Sequence, residues 1–134
     1  MPGSRWIDAP LVYRVSGLVN KRMGSLNEAL QAFEKLHSII PNSPEVIYQI
    51  ANLYDLLLNF RQSTKWFNIL ITRVPTDPHV LSRLGQIFNK DDDESQAFHY
   101  HYESYRYYPV NLDVISWLVS APPLQAHARV RSAR

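Results

Sequence analysis

The residues with most potential for chemistry are two histidines and an acidic run. His99 and His101 could suggest a metal site, but side chains two positions apart in a helix do not face each other, and zinc normally takes three or four ligands. Residues 91–94 (Asp-Asp-Asp-Glu) could suggest calcium, but they lack the alternate ligands and central glycine of an EF-hand loop. We interpret them as charge that favours a helix start. We therefore expect no metal and no cofactor.

No motif for catalysis is recognisable in the chain. It contains no cysteine, which excludes a thiol nucleophile, a zinc–thiolate site and a disulfide framework. Glycine-rich phosphate loops and the Gly-x-Ser-x-Gly nucleophile elbow are also missing from the sequence. Acidic and basic side chains are plentiful, but no pattern groups them. We expect no enzymatic activity.

The charge of the chain is concentrated at one end. Formal net charge is +2, and Arg129, Arg131 and Arg134 contribute three of its 14 basic residues. The remainder is close to balanced, so no basic face for nucleic acid is predicted. No apolar run approaches the roughly 18 residues of a membrane span, and the first ten residues do not form a signal peptide. These features predict a cytoplasmic protein with no nucleic-acid partner and no membrane insertion.

Any site must be positioned by a helical repeat with a fixed period of about 34 residues. Residues 41–44, 75–78 and 109–112 share one pattern, in which a proline ends one helix and a polar residue caps the next. That second helix opens with proline in the first two copies and with leucine in the third. A fixed period of this kind is typical of stacked helical hairpins. The predicted fold class is therefore all-α.

Each hairpin also has its own internal turn. Capping boxes are predicted at residues 25–28, 59–62 and 93–96, and Gly24 is predicted to end a first helix over residues 11–23. Helices should therefore break near residues 24, 42, 58, 76, 92 and 110. Gly85 and Ala97 should face each other where the helices of the third hairpin cross. The predicted organisation is an irregular leader (1–9), three repeats (10–43, 44–77 and 78–111), a partial fourth (112–120) and a disordered or weakly helical tail (121–134).

Equivalent positions of the repeat carry a recurring set of apolar, aromatic and small residues. In the second repeat these positions hold Ile47, Ile50, Ala51, Tyr54, Ser63, Phe67 and Pro75. In the third they hold Leu81, Leu84, Gly85, Phe88, Ala97, His101 and Pro109. This pattern resembles the tetratricopeptide repeat. The first repeat departs with Asn20 in place of an aromatic residue, and the third with His101 in place of phenylalanine; both departures predict looser packing. The resemblance implies a solenoid of three helix-turn-helix repeats plus the first helix of a fourth.

A closer resemblance covers residues 17–118. Segments 27–30, 34–37, 46–52, 75–78 and 102–107 resemble the large tetratricopeptide subunit of intraflagellar transport complex B, a long array needed to build cilia. This implies a fragment or divergent isoform that acts as a non-catalytic scaffold in the cilium and at the ciliary base. Its implied partners are other proteins, in particular the subunits of that complex.

In such arrays the first helix of each hairpin lines an inner groove. The residues that this places in a protein-binding groove are Arg14, Leu18, Arg22, Tyr48, Gln49, Asn52, Asp55, His79, Arg83, Gln86 and Lys90. A co-chaperone-like adaptor that binds extended peptides in this groove is the alternative function. Chaperone-binding relatives hold a terminal carboxylate with lysine, asparagine and arginine, and here only the arginines match. An RNA-binding helical repeat, a third hypothesis, would show steeply salt-dependent binding.

Aromatic residues crowd the last full helix and the segment after it. Their helical spacing indicates packing rather than a binding face for peptides or bases. The predicted C-terminal packing face consists of Phe98, Tyr102, Tyr105, Ile115, Trp117 and Leu118. The paired prolines at 122 and 123 prevent a continuing helix, so part of this face should stay exposed. We expect the chain to self-associate through its C-terminal end or to need a partner there.

Overall fold

The computed structural model describes residues 8–121, and within this range it contains helices and turns but no strand. The helices are α1 (Ala9–Arg22), α2 (Leu26–Ile39), α3 (Pro44–Leu56), α4 (Phe60–Arg73), α5 (Pro78–Lys90), α6 (Glu94–Tyr107) and α7 (Leu112–Ser120). All six breaks lie where the repeat period predicts them. No helix in this range is long and apolar enough to cross a membrane.

The first helix begins earlier than predicted. It starts at Ala9 because the Asp8 carboxylate accepts a hydrogen bond from the Leu11 N–H (3.3 Å) and Pro10 occupies the first turn. The predicted leader of residues 1–9 is therefore wrong in its last residue. Residues 1–7 lie outside the described range, as does the predicted tail from residue 122 onward.

The caps between hairpins follow the prediction. The Asp77 carboxylate accepts from the N–H groups of His79 (2.9 Å) and Val80 (3.2 Å), and the Asn111 side chain does the same for Asp113 and Val114. The Ser43 hydroxyl is in the equivalent place, 3.5 Å from the Val46 nitrogen. Short polar side chains followed by proline or leucine thus define where α3, α5 and α7 begin.

The turns inside the hairpins repeat a single backbone geometry. Gly24, Leu58 and Asp92 lie one repeat apart and all adopt positive φ, at 83°, 61° and 59°. In each turn the next residue donates its N–H to the carbonyl five positions back, which is the signature of a Schellman motif. Asn59 and Asp93 cap the following helices as predicted. The predicted capping box at residue 25 is wrong for the Ser25 side chain, because its hydroxyl makes no hydrogen bond that caps α2.

The chain divides into two compact units, Met1–Leu70 and Ile71–Arg134. In the first unit the core is built where α2 and α3 pack, and its buried members are Ala29, Leu30, Phe33, Leu36, Val46, Ile50 and Leu53. In the second unit the buried apolar residues come from α5, α6, α7 and the residue after α7, namely Val80, Leu81, Leu84, Ile87, Ala97, Val114, Leu118 and Ala121. Each unit therefore buries apolar helix faces at repeat spacing.

A glycine on the first helix of a hairpin lets the second helix approach closely. A Cβ on Gly17 would lie 2.6 Å from the Phe33 ring, and one on Gly85 would lie 2.6 Å from the His101 ring. The prediction named Ala97 as the residue facing Gly85; the atoms nearest to Gly85 belong instead to His101. Ala97 is itself fully buried. His101 thus occupies the place that Phe33 holds in the first repeat.

Candidate functional site

In the first unit, several of the predicted groove residues are already engaged with one another. Arg14 of α1 forms an ion pair and hydrogen bond with Glu45 of α3. Gln49 accepts a hydrogen bond of 2.8 Å from Lys21. These contacts tie α1 to α3 and occupy polar groups that a groove ligand would otherwise use.

The remaining groove residues of this unit differ in their access to solvent. Asp55 is only 2% exposed, so its prediction as a groove-lining residue is wrong. Tyr48 packs edge-on against Phe67, with ring centroids 5.8 Å apart, and Asn52 is half-buried. Leu18 and Arg22 are exposed and line a cleft of about 320 Å³ together with Val19.

In the second unit, the predicted residues do converge. A cleft of about 370 Å³ runs between α5 and α7. It is lined by His79, Ser82, Arg83, Gln86, His101, Asn111, Asp113, Val114 and Trp117. Lys90, at the end of α5, is exposed but does not line this cleft. The register of the repeat therefore brings together three predicted groove residues, His79, Arg83 and Gln86.

The electrostatics of this cleft are mixed. The Arg83 guanidinium donates to the Gln86 side-chain oxygen (2.9 Å), and Asp113 lines the same cleft. A cationic and an anionic side chain on opposite walls do not create the positive field that would hold a strongly anionic ligand. The arrangement suits a polar, near-neutral ligand such as an extended peptide segment.

His101 lies at the bottom of the same cleft. It is 2% exposed, and its ring lies against Trp117 with centroids 4.2 Å apart and planes inclined by 32°. Neither ring nitrogen has a hydrogen-bond partner, and burial lowers the pKa of His101 from 6.5 to about 4. The predicted looser packing at His101 is wrong, because the ring fills its position closely. A neutral, enclosed imidazole of this kind is a core residue rather than an acid or base.

The two histidines considered for metal binding do not converge. His99 is exposed and contacts the Tyr100 ring edge-on at 5.0 Å, whereas His101 is buried. Among residues 8–121 no group of three or more histidine, aspartate or glutamate side chains could hold a metal ion. The acidic run at 91–94 includes the α6 cap, since the Asp93 carboxylate accepts from the Gln96 N–H at 3.1 Å.

A second, apolar cleft of about 250 Å³ lies between α6 and α7. It is lined by Phe98, Tyr102, Tyr105, Ile115, Leu118 and Val119, and this set is called the α6–α7 groove below. Tyr102 is 46% and Tyr105 38% exposed, so the surface predicted to stay uncovered is open. Trp117 was predicted to belong to this face, and that prediction is wrong, because its ring lies on the His101 side of α7.

A third apolar surface, on α1, was not predicted. Leu11, Val12, Val15 and Val19 are each 50–55% exposed and line a shallow cleft of about 500 Å³. Val15 lies four positions after Leu11, three after Val12 and four before Val19, and these spacings put the four residues on one face of the helix. This spacing is visible in the sequence and could have been used to predict the apolar surface of α1. The cleft also includes Asn20, the departure from the aromatic repeat position, whose amide donates to the Ser16 carbonyl at 2.9 Å.

Comparison with known structures shows that several solved proteins share this fold. The first TPR of Spaghetti (RPAP3) bound to the HSP90 peptide SRMEEVD has a TM-score of 0.78 and 19% identity, covering 90% of this chain and 97% of that one. The first TPR domain of human RPAP3 gives 0.75 and 19%, with 88% and 93% covered. The MamA crystal structure gives 0.75 and 16%, covering 82% of this chain, which spans 60% of MamA.

No protein-family model matches the sequence. At identities of 16% and 19%, the likeness to these structures concerns the fold. Three hairpins with one common period, a further first helix and this structural likeness agree on one architecture. The chain has the fold of a tetratricopeptide-repeat solenoid, with three helix-turn-helix repeats and the first helix of a fourth.

Proposed function

We propose that this chain is a non-catalytic scaffold that binds other proteins, as part of the large tetratricopeptide subunit of intraflagellar transport complex B. The observation that carries the scaffold function is the exposed apolar surface on the described helices. On α1 alone, Leu11, Val12, Val15 and Val19 are each at least half exposed. Exposed apolar patches of this kind mark sites of protein interaction. The protein would act in the cytoplasm, at the ciliary base and in the cilium.

The assignment to the ciliary complex is supported by sequence resemblance at exposed positions, which the repeat fold does not require. Core residues such as Leu36 or Ile50 are required by the repeat itself and say little about which array this is. Segment 102–107 is different, because Tyr102, Tyr105 and Tyr107 are all 38–48% exposed. The fold does not demand tyrosine at these exposed sites. Likeness there therefore points to a shared binding surface.

Affinity purification from ciliated cells tests this function. A tagged chain should enrich subunits of the transport complex relative to a tagged, unrelated tetratricopeptide domain. Val15→Lys, which places a charge in the α1 cleft, should reduce the enrichment, whereas Asn27→Lys, at an exposed site outside that cleft, should not. Equal recovery of these subunits by the unrelated domain would refute the assignment.

A co-chaperone-like adaptor is the second candidate. It is favoured by the structural likeness to the RPAP3 domain that binds the HSP90 peptide. The side chains argue against it. Arg14 is paired with Glu45, Gln49 accepts from Lys21, and the Asp113 carboxylate lines the cleft that would receive an anionic peptide end.

Fluorescence anisotropy with labelled SRMEEVD peptide separates the two functions. We expect binding weaker than about 1 mM, and no change when the peptide carries a C-terminal amide. Micromolar binding that is lost on amidation would instead favour the adaptor, because only a carboxylate clamp reads the peptide's terminal charge.

A further inference from the structure

The α6–α7 groove has an internal counterpart two repeats earlier in the chain. Positions 98, 105, 118 and 119 correspond to Leu30, His37, Ile50 and Ala51, which lie on α2 and α3. In the earlier copy the surface is closed. Ala51 is fully buried, whereas Val119 at the equivalent position is 61% exposed. The two copies thus present the same groove, once covered and once open.

The element that covers the earlier copy is α4. The Ser63 hydroxyl donates to the Ala51 carbonyl at 2.8 Å, and the Trp66 ring meets His37 edge-on at 5.0 Å. Phe67 and Leu70 are buried in the same unit. Together these four side chains follow the spacing i, i+3, i+4 and i+7 of one helix face. The small serine allows close approach, and the aromatic pair fills the space beyond it.

We propose that the α6–α7 groove binds an amphipathic α-helix from a partner protein, and that this helix carries the face pattern of α4. The required pattern is a small residue at i, large apolar or aromatic residues at i+3 and i+4, and leucine at i+7. The inference rests on the proposed scaffold function in one respect, namely that the occupant is another protein. It names the form in which that protein is recognised.

The aromatic side chains that line the groove indicate which side chains the partner helix should present to it. Phe98 and Tyr102 stack with centroids 6.0 Å apart and planes at 7°, and Tyr105 continues the wall at 6.4 Å from Tyr102. The earlier copy has Glu34 at the position of Tyr102. The open groove is therefore the more apolar of the two. A partner helix should meet it with aliphatic or aromatic side chains and keep its charges on the opposite face.

A second copy of the chain fits the groove less well. A symmetric dimer through this surface would require a concave cleft to be complementary to itself. The exposed stripe of α1 is aliphatic and lacks the aromatic pair that Trp66 and Phe67 supply in α4. The covered copy of the groove thus favours a helix of the α4 type.

The test is a titration of the full chain with a fluorescein-labelled peptide of residues 60–73. A staple replacing the exposed Arg61 and Lys65 on the polar face keeps the peptide helical, because an isolated helix of this length is marginal in water. A scrambled peptide of equal composition controls for non-specific binding. Val119→Lys places a charge in the groove, and Leu112→Lys places the same charge on α7 at an exposed site outside it.

We expect saturable binding with a Kd on the order of 10–100 μM. Val119→Lys should weaken it at least about tenfold, and Leu112→Lys should leave it within about twofold. Equal binding of the scrambled peptide, or no effect of Val119→Lys, would overturn the proposal. So would a dimer in sedimentation that Val119→Lys dissolves while the peptide fails to bind, since the occupant would then be a second copy. If the chain binds the peptide but does not enrich subunits of the transport complex from ciliated cells, the proposed function is refuted and this inference stands.

Discussion

Replacing His101 by phenylalanine should stabilise the protein and remove much of its sensitivity to mild acid. His101 is enclosed between Gly85 and Trp117, and neither of its ring nitrogens has a partner. Phe33 lies against Gly17 in the first repeat in the same way, since a Cβ added to either glycine would lie 2.6 Å from the facing ring. A phenylalanine ring therefore fits this crossing without a change of backbone.

The size of the effect at neutral pH follows from desolvation. A buried polar group without a hydrogen bond costs about 1–3 kcal/mol. His101→Phe removes one such group, the imidazole whose two nitrogens lack a partner, and keeps an aromatic ring against Trp117. We expect the free energy of unfolding at pH 7 to rise by about 1–3 kcal/mol.

The pH dependence has a definite sign. Burial lowers the pKa of His101 to about 4 in the folded protein, against 6.5 when the ring is exposed to water. The unfolded chain therefore binds more protons between these values, so stability is fully present above pH 6.5 and falls as the pH approaches 4. From pH 7 to pH 5 the loss attributable to His101 is about 2 kcal/mol.

Urea denaturation at pH 7, 6 and 5, followed by tryptophan fluorescence and circular dichroism, measures this effect. The difference between the original chain and His101→Phe should widen by about 2 kcal/mol as the pH falls to 5. His79, Arg83 and Asp113 line the same cleft in both proteins, so the comparison isolates the substitution at residue 101. Phe33→His provides the mirrored control and should introduce a similar acid sensitivity in the first unit. A difference that stays constant across this range would refute the buried, neutral state of His101.

Three further substitutions test the turns, caps and crossings. Leu58→Gly should raise stability by about 1 kcal/mol in urea denaturation, because Leu58 adopts the left-handed φ of 61° that Gly24 adopts without strain; no gain would contradict the turn geometry. Asp77→Ala should cost about 1 kcal/mol and lower the far-ultraviolet helix signal, and Asp77→Asn should restore most of it. Ala97→Leu should cost roughly 1–3 kcal/mol by overpacking a fully buried site, and an unchanged melting temperature would count against the helix register.

The fold is readable from the sequence because its main signals are local. A polar residue before proline is enough to start α3 and α5, and a polar cap before leucine starts α7 one repeat later. The turn at Gly24 was predicted for the same reason. The breaks near residues 58 and 92 were also predicted, but the positive φ of Leu58 and Asp92 was not, since nothing in either residue type favours positive φ strongly enough to be predicted from the sequence. There the geometry is imposed by two helices that must form a hairpin of fixed length.

The candidate site is less readable because its contacts are long-range. Arg14 and Glu45 are 31 residues apart, and no local rule predicts that they pair. Asp55 lies at a groove position of the repeat yet is buried. Trp117 was grouped with Leu118 because both are apolar, but adjacent residues of a helix point about 100° apart, and the two side chains serve different surfaces.

In the second unit, the residues that differ from the repeat pattern are the ones that indicate a binding surface. Where α5 and α6 keep the repeat pattern, as at Leu84 and Ala97, the residues are buried and only hold the stack together. Tyr102 and Tyr105 have no counterpart in the repeat pattern, and they form the wall of an open groove. Because packing does not require tyrosine at these positions, we attribute it to the partner helix proposed for this groove, and the face of α4 indicates the pattern that such a helix should carry.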